Sequence, residues 1–335
     1  MVHIKDIAKV CGVSSATVSK ALNNQPDIGE ATKERIQAVA KEMGYMSNSS
    51  ARALKTGKTK NIGVLFVDEQ GRGLSHDYFS TMLEAIKAQA AELEYDITFI
   101  CPGKNMSYLQ HCYFRGVDGV VIANINYNDA QVIELVSSEL PVVVIDHVYP
   151  QKTAVISDNE MGGRAVIQYA YNMGHRNIGL IHGELTSVTQ KRLDAIEQFC
   201  SEVGLVIPKS NVKEAKFHDS AKTYFATQEL LQLPNRPTCI LFPDDYSYIG
   251  GLNAIHDAGL SIPEDISTIG YDGIELSRII SPRLVTYYQD AKEMGRIAIE
   301  KLVEQIDSPA PLKPEVIMVS GSIMDGGSVR EILPE

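Results

Sequence analysis

Acidic and amide side chains stand directly after several apolar runs that have the composition of β-strands. Asp146, Asp244, Asp272 and Gln289 each follow such a run, and tyrosine or phenylalanine residues lie close by in the chain. Carboxylate oxygens accept hydrogen bonds from hydroxyl groups, and an aromatic ring offers an apolar face on which a small molecule can stack. This combination predicts a binding site for a polyol.

The elements that must position these side chains alternate along the chain. The apolar runs 62–67, 97–101, 119–123 and 142–145 are separated by amphipathic helical stretches. Strands that alternate with helices form a mostly parallel sheet covered on both faces, so we predict an α/β fold. In such sheets the ligand binds beyond the carboxyl ends of the strands, where the acidic side chains stand.

The α/β part of the chain contains a short internal repeat. Asn61-Ile62-Gly63-Val64 precedes a helix with Leu83-Glu84-Ala85-Ile86, and Asn177-Ile178-Gly179-Leu180 precedes a helix with Leu193-Asp194-Ala195-Ile196. Two lobes built on the same plan would explain this repeat.

Charge is distributed unevenly between the beginning of the chain and the remainder. The whole chain has a net charge of −11, yet residues 1–60 hold ten Lys and Arg against five Asp and Glu. The remainder holds 21 basic and 37 acidic residues. A basic head on an acidic body indicates that only the head approaches a polyanion.

The segment Asp6–Asn23 has the pattern of two short helices joined by a turn at Gly12. Val18 and Leu22 lie on the inward face of the second helix. The small polar residues at the N-terminal end of this helix lie off that face, so this end can enter the major groove of DNA. A third helix is expected from about Glu30 to Met43, with Gly29 at the position of its cap. The pattern predicts a helix-turn-helix DNA-binding domain over residues 1–46.

Over nearly its whole length the chain closely resembles the lactose-repressor/galactose-repressor (LacI/GalR) family. The opening motif is carried by Asp6-Ile7-Ala8, Gly12-Val13-Ser14, Ala16-Thr17-Val18-Ser19, Asn23 and Gly44-Tyr45. The resemblance implies a three-helix helix-turn-helix domain and a hinge helix with linker, followed by a two-lobed, doubly wound domain like the periplasmic binding proteins, which binds the effector and forms a dimer. The implied boundaries are 1–46 for the first domain, 47–60 for the hinge and 61–335 for the body, with an N-terminal lobe of about 61–156 and 289–319 and a C-terminal lobe of about 157–288 and 320–332.

The resemblance also implies which residues contact DNA. Bases would be read by Ser15, Ala16 and Lys20, and phosphates held by the hydroxyls of Ser14, Thr17 and Ser19; Asn23 completes the implied contact set. In the hinge, Arg52 and Leu54 are implied contacts, with Leu54 as an apolar wedge that unstacks a central base step in the minor groove. Lys20 stands where arginine is commoner in the family, and lysine lacks the guanidinium's two-pronged hydrogen bonding to guanine.

For the body, the resemblance implies a set of contacts to a small effector. Asp272, in Ile269-Gly270-Tyr271-Asp272, and Arg192, which opens a long helix, match effector-contacting positions. The remaining implied contacts are Tyr78, Phe79, Asp146, Asp244, Tyr246 and Gln289. The stretch Gly174–Gly179 matches the family as well, and we expect a structural role for His175, as a cation at a helix end.

Other signatures are missing from the sequence. The five cysteines are scattered, which predicts reduced packing residues in place of disulfides or a zinc motif. There is no phosphate-binding loop, dinucleotide-binding loop, zinc-protease motif or nucleophile elbow. Without a signal peptide or an apolar run of 18 residues, a cytoplasmic protein is expected. We predict a protein that is not an enzyme and has neither cofactor nor metal.

The expected function is a dimeric, sequence-specific DNA-binding repressor of a carbohydrate-utilisation operon, released from pseudo-palindromic operator DNA by a sugar. One alternative keeps the same fold but reverses the effect of the ligand, as in family members resembling the purine repressor, where the ligand tightens DNA binding. A sugar-binding transport protein would share the body fold but needs a signal peptide and no helix-turn-helix. A carbohydrate enzyme would need a catalytic motif, and none is recognisable.

Overall fold

The computed structural model describes residues 2–45, 53, 57–67, 74, 76–101 and 105–332. The chain divides into two compact units, Met1–Thr59 and Lys60–Glu335, which we call the head and the body. Arg52 and Leu54, the predicted hinge contacts, lie outside the described residues.

The head contains the three predicted helices. They are α1 (Ile4–Cys11), α2 (Ser15–Leu22) and α3 (Glu30–Glu42). Gly12 ends α1 with a φ of 65°, a left-handed conformation that glycine adopts without steric cost. Ser14 is the N-cap of α2, and its hydroxyl accepts a hydrogen bond from the Thr17 amide at 3.0 Å. These two local devices set the turn between the helices.

A small apolar core holds the head together. The buried side chains, which come from all three helices, are Ile7, Ala8, Cys11, Val18, Ala21, Ile36 and Ala40. Leu22, expected on the inward face of α2, is only partly buried at the edge of this core. The helix α3 lacks a side-chain cap, because Gly29 occupies the N-cap position with a φ of −58°.

Replacing Gly29 with serine should stabilise the head by a few tenths of a kcal/mol, because a serine hydroxyl can accept a hydrogen bond from a free amide of α3. A Cβ added at Gly29 would meet no atom within 4 Å. Gly44→Ser is the matched control: its site is equally open, but a φ of 67° makes any side chain unfavourable there. Hydrogen exchange of the α3 amides should slow in the first variant and accelerate in the second. Equal rates in both would contradict this account of the cap.

The first sheet of the body contains six parallel strands in the order β11-β5-β4-β3-β1-β2. The strands are β1 (Asn61–Phe66), β2 (Asp96–Ile100), β3 (Gly119–Asn124), β4 (Val142–Ile145), β5 (Thr153–Ser157) and β11 (Val316–Val319). The helices α4 (Asp77–Glu92), α5 (Tyr108–Arg115), α6 (Ala130–Ser137) and α12 (Ala291–Asp307) accompany it. Apolar clusters on both faces of this sheet bury its four central strands, and we call this assembly the first lobe.

The second sheet also has six strands, in the order β12-β10-β9-β8-β6-β7, with only β12 antiparallel. Its strands are β6 (Ile178–His182), β7 (Val212–Glu214), β8 (Cys239–Leu241), β9 (Ser267–Asp272), β10 (Val285–Tyr288) and β12 (Ser322–Met324). The helices are α7 (Asn159–Asn172), α8 (Ser187–Val203), α9 (Ser220–Leu231), α10 (Tyr248–Asp257) and the short α11 (Leu276–Ile279), and a 3-10 turn spans Lys209–Asn211. We call this assembly the second lobe.

The chain passes between the two lobes three times. It crosses after β5, after β10 and between β11 and β12. The prediction of an α/β architecture with two doubly wound lobes and an N-terminal three-helix domain is confirmed. Because all strands except β12 are parallel within their sheet, their carboxyl ends collect at one edge of each lobe, and these edges carry the side chains described below.

Two expectations from the sequence need correction: the charge of His175 and the packing role of all five cysteines. His175 is fully buried, and its Nδ1 lies 2.9 Å from the Thr238 hydroxyl. Burial lowers the pKa of His175 to about 4, so it is a neutral packing residue and not a cation at a helix end. Cys101 is exposed, whereas the other four cysteines are buried and all five are free thiols. Among the described helices, none is both long and apolar enough to span a membrane.

Candidate functional site

A cleft of about 660 Å³ lies between the carboxyl edges of the two sheets. Its volume falls in the range typical of small-molecule sites. Of the residues predicted to contact an effector, the cleft is lined by Tyr78, Phe79, Asp146, Arg192, Asp272 and Gln289. Tyr78, Phe79 and Asp146 belong to the first lobe, whereas Arg192 and Asp272 belong to the second. The cleft therefore has walls from both lobes.

Asp146 presents a fixed carboxylate at the end of β4. Its Oδ1 accepts a hydrogen bond from the Ser157 amide at 3.1 Å, and its Oδ2 accepts one from the Tyr78 hydroxyl at 3.1 Å. Burial raises the pKa of Asp146, and these two hydrogen bonds oppose that effect. Burial and the Asp146 charge raise the pKa of Tyr78 well above its usual value, so its hydroxyl stays protonated and donates.

Asp272 presents a second carboxylate, at the end of β9. Gln289 donates its side-chain amide to Asp272 Oδ1 at 2.6 Å. Burial, together with the nearby Asp244 charge, raises the pKa of Asp272 to about 7. Asp146 and Asp272 both adopt positive φ angles, 56° and 103°, which are uncommon for residues with a side chain. Such strained conformations are maintained by surrounding structure and occur often at ligand sites.

Arg192 lies in the first turns of α8 and is held on three sides. Its Nε donates to Asn159 Oδ1 at 2.8 Å, and one terminal nitrogen donates to the Pro243 carbonyl at 3.3 Å. The guanidinium lies 3.6 Å from the centroid of the Tyr271 ring. A planar cation fixed in this way can offer its remaining N–H groups to an acceptor in the cleft.

The end of β3 and the loop that follows it supply residues that were not predicted from the sequence. Asn124, Asn126, Tyr127 and Asn128 all line the cleft, as does His147. The rings of Tyr127 and His147 are stacked, with centroids 4.5 Å apart and an angle of 8° between their planes. These residues follow a buried strand, as Asp146 does, so their position after an apolar run is the sequence signal that marks them.

Asp244 and Tyr246 were expected to contact the ligand, but neither is among the described residues that line the cleft. Asp244 is buried behind His218 and accepts hydrogen bonds from the amide and hydroxyl of Ser247, both at 2.7 Å. Burial alone would raise the pKa of Asp244, but the adjacent His218 imidazole and these hydrogen bonds hold it well below its usual range. Tyr246 instead packs against the apolar cluster that covers one face of the first sheet.

The loop between β7 and α9 contributes Lys216, Phe217 and His218 to the cleft wall. The Phe217 amide donates to Glu184 Oε2 at 2.9 Å, and the His218 amide donates to Asp244 Oδ2 at 3.0 Å. The strand β7 has only three residues, with no apolar run to announce it. No strand-end rule could therefore have selected this loop from the sequence.

On the head, the predicted base- and phosphate-contacting residues lie along α2 and its ends. Ser14, Ser15, Ala16, Lys20 and Asn23 are exposed, whereas Thr17 and Ser19 are partly buried. The Asn23 side chain donates to the Ser19 carbonyl at 2.6 Å and so caps the end of the helix. The Lys20 ammonium forms an ion pair with Asp27 in the following loop. The exposed row along α2 is thus polar apart from Ala16, and the Lys20 ammonium within it is paired with Asp27 of the same head.

Two family models match the chain. Residues 3–48 match the model for bacterial regulatory proteins of the lacI family, and residues 167–329 match the model for a periplasmic binding protein-like domain. The chain is 32% identical to the HTH-type transcriptional repressor PurR of Pasteurella multocida, over 92% of this chain and 92% of that protein. It is 30% identical to the ribose operon repressor of Haemophilus influenzae, over 92% of this chain and 93% of that protein.

Solved structures show the same architecture. A lac repressor dimer bound to operator and the anti-inducer ONPF superposes with a TM-score of 0.81 at 24% identity, over 98% of this chain and 99% of that one. A LacI family transcriptional regulator from Enterococcus faecium with bound ribose gives a TM-score of 0.70 at 24% identity, over 82% of this chain and 100% of that one. The two relatives named above are transcriptional repressors and not enzymes. From the family models and the relatives together, we conclude that the chain belongs to the lacI family of bacterial regulatory proteins.

Proposed function

We propose that this chain represses a carbohydrate-utilisation operon and that a sugar bound in the cleft releases it from operator DNA. The observation that carries the proposal is the convergence of Asp146, Asp272 and Arg192 on one cleft. Two carboxylates can accept hydrogen bonds from sugar hydroxyls, and the guanidinium can donate to a ring or hydroxyl oxygen. No cofactor enters the proposal.

Aromatic side chains support a sugar as the occupant. Phe79 and Phe217 line the cleft from opposite lobes and offer apolar faces to the C–H groups of a sugar ring. The names of similar proteins agree with this chemistry: one relative is a ribose operon repressor, and one neighbouring structure holds ribose. A third structure of the same fold is a complex of a transcriptional regulator with cellobiose.

A second candidate is a corepressor with a flat ring, whose binding would tighten the hold on DNA. It is favoured by the stacked Tyr127 and His147 pair and by the amides of Asn124, Asn126 and Asn128 on the same side of the cleft. A planar heterocycle needs a stacking surface and amide groups that read its edge. The relatives named PurR make this candidate worth testing beside the sugars.

Calorimetric titration of the full chain with a panel of pentoses, hexoses, disaccharides and nucleobases distinguishes the candidates. The operator affinity is then measured with and without the compound that binds. The proposal expects a sugar to bind and to weaken operator binding, since the effector and DNA favour opposite states. A nucleobase that binds and strengthens operator binding would establish the corepressor instead.

For the head, we propose that Ser15, Ala16 and Lys20 read base edges and that Ser14, Thr17 and Ser19 hold phosphates, with Asn23 at the end of the contact row. Their position on one exposed helix supports this assignment. Arg52 and Leu54 remain proposed minor-groove contacts from the hinge. Because the contacts include phosphates, the logarithm of operator affinity should fall steeply and linearly with the logarithm of salt concentration.

Replacing Asp27 with asparagine should raise affinity for operator DNA a few-fold. The Asp27 carboxylate pairs with Lys20, so DNA must compete with it for the ammonium group. Glu42→Gln is the matched control, because it removes one exposed negative charge from the same unit without touching Lys20. Gel-shift titrations at fixed salt should show a larger gain for Asp27→Asn. If both variants gain equally, net charge explains the effect and the ion pair plays no part.

We further propose that the chain acts as a homodimer in the cytoplasm. A two-fold dimer presents two heads to the two half-sites of a pseudo-palindromic operator. The neighbouring lac repressor structure is a dimer bound to operator. Sedimentation of the chain with a duplex containing one or two half-sites measures the stoichiometry. A single chain that binds the whole operator at full affinity would contradict this proposal.

A further inference from the structure

Two histidines from different lobes meet at the edge of the cleft. His76 precedes α4 in the first lobe, and His218 belongs to the loop before α9 in the second lobe. His76 Nε2 lies 2.6 Å from His218 Nδ1, and the two ring centroids are 3.8 Å apart. His76 is 5% exposed. The contact therefore joins the lobes through two imidazole nitrogens, one from a buried and one from a partly buried side chain.

Two carboxylates lie near the His218 imidazole. Asp244 Oδ1 lies 3.3 Å from His218 Nδ1. A carboxylate oxygen of Asp272 also belongs to the group, since ligand atoms of His218, Asp244 and Asp272 all lie within 4.8 Å of one another. Asp244 and Asp272 are 1% and 7% exposed. One nitrogen of His218 and one oxygen from each aspartate thus lie close enough to share an ion, and His76 Nε2 adjoins the same imidazole ring.

We propose that His76, His218, Asp244 and Asp272 form a binding site for a divalent transition-metal ion, with Zn²⁺ as the best match. Imidazole and carboxylate are ligands that zinc accepts, at about 2.0–2.2 Å in tetrahedral geometry. That geometry separates neighbouring ligand atoms by about 3.3 Å. The His218–Asp244 distance of 3.3 Å fits this geometry. The two imidazole nitrogens are 2.6 Å apart and must separate by about 0.7 Å for both to bind the ion.

Hydrogen bonds from neighbouring residues fix the orientation of the two carboxylates, as metal ligands require. Gln289 donates to Asp272 Oδ1 at 2.6 Å, and the Ser247 amide and hydroxyl donate to Asp244, each at 2.7 Å. Partners of this kind orient metal ligands and contribute to metal affinity. The charges agree as well, because two buried carboxylates near one another repel, and a divalent cation between them removes the repulsion.

The bound ion would link the two lobes. It would join His76 of the first lobe to three ligands of the second, and so stabilise whichever lobe arrangement brings them together. It would also lie beside the cleft, since His218 and Asp272 line the wall where the effector is proposed to bind. Metal binding itself, however, requires neither the effector nor DNA, so it can be tested separately from the proposed function.

The test is calorimetric titration of the full chain, freed of metal by chelation, with ZnCl₂ and separately with MgCl₂. We expect one zinc per chain with micromolar or tighter affinity and no comparable binding of Mg²⁺, which prefers oxygen ligands. His76→Ala and His218→Gln should each weaken zinc binding about tenfold or more. Co²⁺ substitution should give the intense visible absorption of a tetrahedral site, and each variant should lose it.

His111→Ala is the control, because His111 lies on the surface beside Cys101 and offers zinc an alternative place to bind. The control should retain wild-type zinc affinity. Circular dichroism of each variant establishes that it is folded. If zinc does not bind, if folded His76 and His218 variants bind it as tightly as the wild type, or if His111→Ala removes the binding, the proposed site does not exist.

Discussion

Replacing Arg192 with alanine is expected to make operator binding insensitive to the effector up to concentrations about 100-fold above those that act on the wild type. Arg192 is fixed by Asn159, the Pro243 carbonyl and the Tyr271 ring, so its free N–H groups are oriented before the ligand arrives. Hydrogen bonds to a charged group contribute about 1.5–3 kcal/mol each, and losing two of them accounts for a change of this size.

Operator affinity without effector should remain within about twofold of the wild type, because the substitution lies in the body and leaves the head unchanged. Arg164→Ala is the matched control: this arginine also touches α8, through its ion pair with Glu202 at 2.6 Å, but does not line the cleft as described. Fluorescence-anisotropy titrations of labelled operator against effector measure both quantities. A folded Arg192→Ala protein that responds at wild-type effector concentrations would show that the cleft is assigned to the wrong ligand or the wrong residues.

Replacing Gly163 with alanine is expected to reduce both stability and effector sensitivity. Gly163 lies in α7 where that helix crosses α8, and a Cβ there would stand 2.4 Å from the Arg192 carbonyl oxygen and 2.8 Å from its Cα. The two helices must separate to admit one methyl group. Overpacking of this kind costs about 1–3 kcal/mol, and the same shift would displace Arg192 from its partners. We expect a drop in effector sensitivity of about tenfold or more.

Gly119→Ala separates the two effects. A Cβ on Gly119 would lie 2.8 Å from Leu302 Cδ1, so overpacking is again expected, but Gly119 begins β3 and lies at the end of the strand away from the cleft. Urea unfolding should show destabilisation in both variants. Only Gly163→Ala should also shift the effector titration. If Gly119→Ala shifts it equally, effector sensitivity follows overall stability and not the placement of Arg192.

Much of the head could be predicted from the sequence because the relevant interactions are local. The break at Gly12 requires a left-handed residue, and the hydroxyl of Ser14 reaches an amide three residues away; both effects act within a few positions of the chain. The ends of β4 and β9 were found for a related reason. Apolar runs mark buried strands, and in a parallel sheet every strand delivers its carboxyl end to the same edge.

The sequence by itself thus determined the fold class, the helix-turn-helix and the positions of Asp146, Arg192 and Asp272 near one cleft. Only the tertiary structure decided the environment of each group. Asp244 lies behind His218 and not in the cleft wall, and burial makes His175 neutral. The meeting of His76 and His218 joins residues 142 positions apart. The burial of a side chain, its pKa and the convergence of ligands from different segments all depend on which distant segments of the chain pack together. A local pattern of residues does not specify that packing.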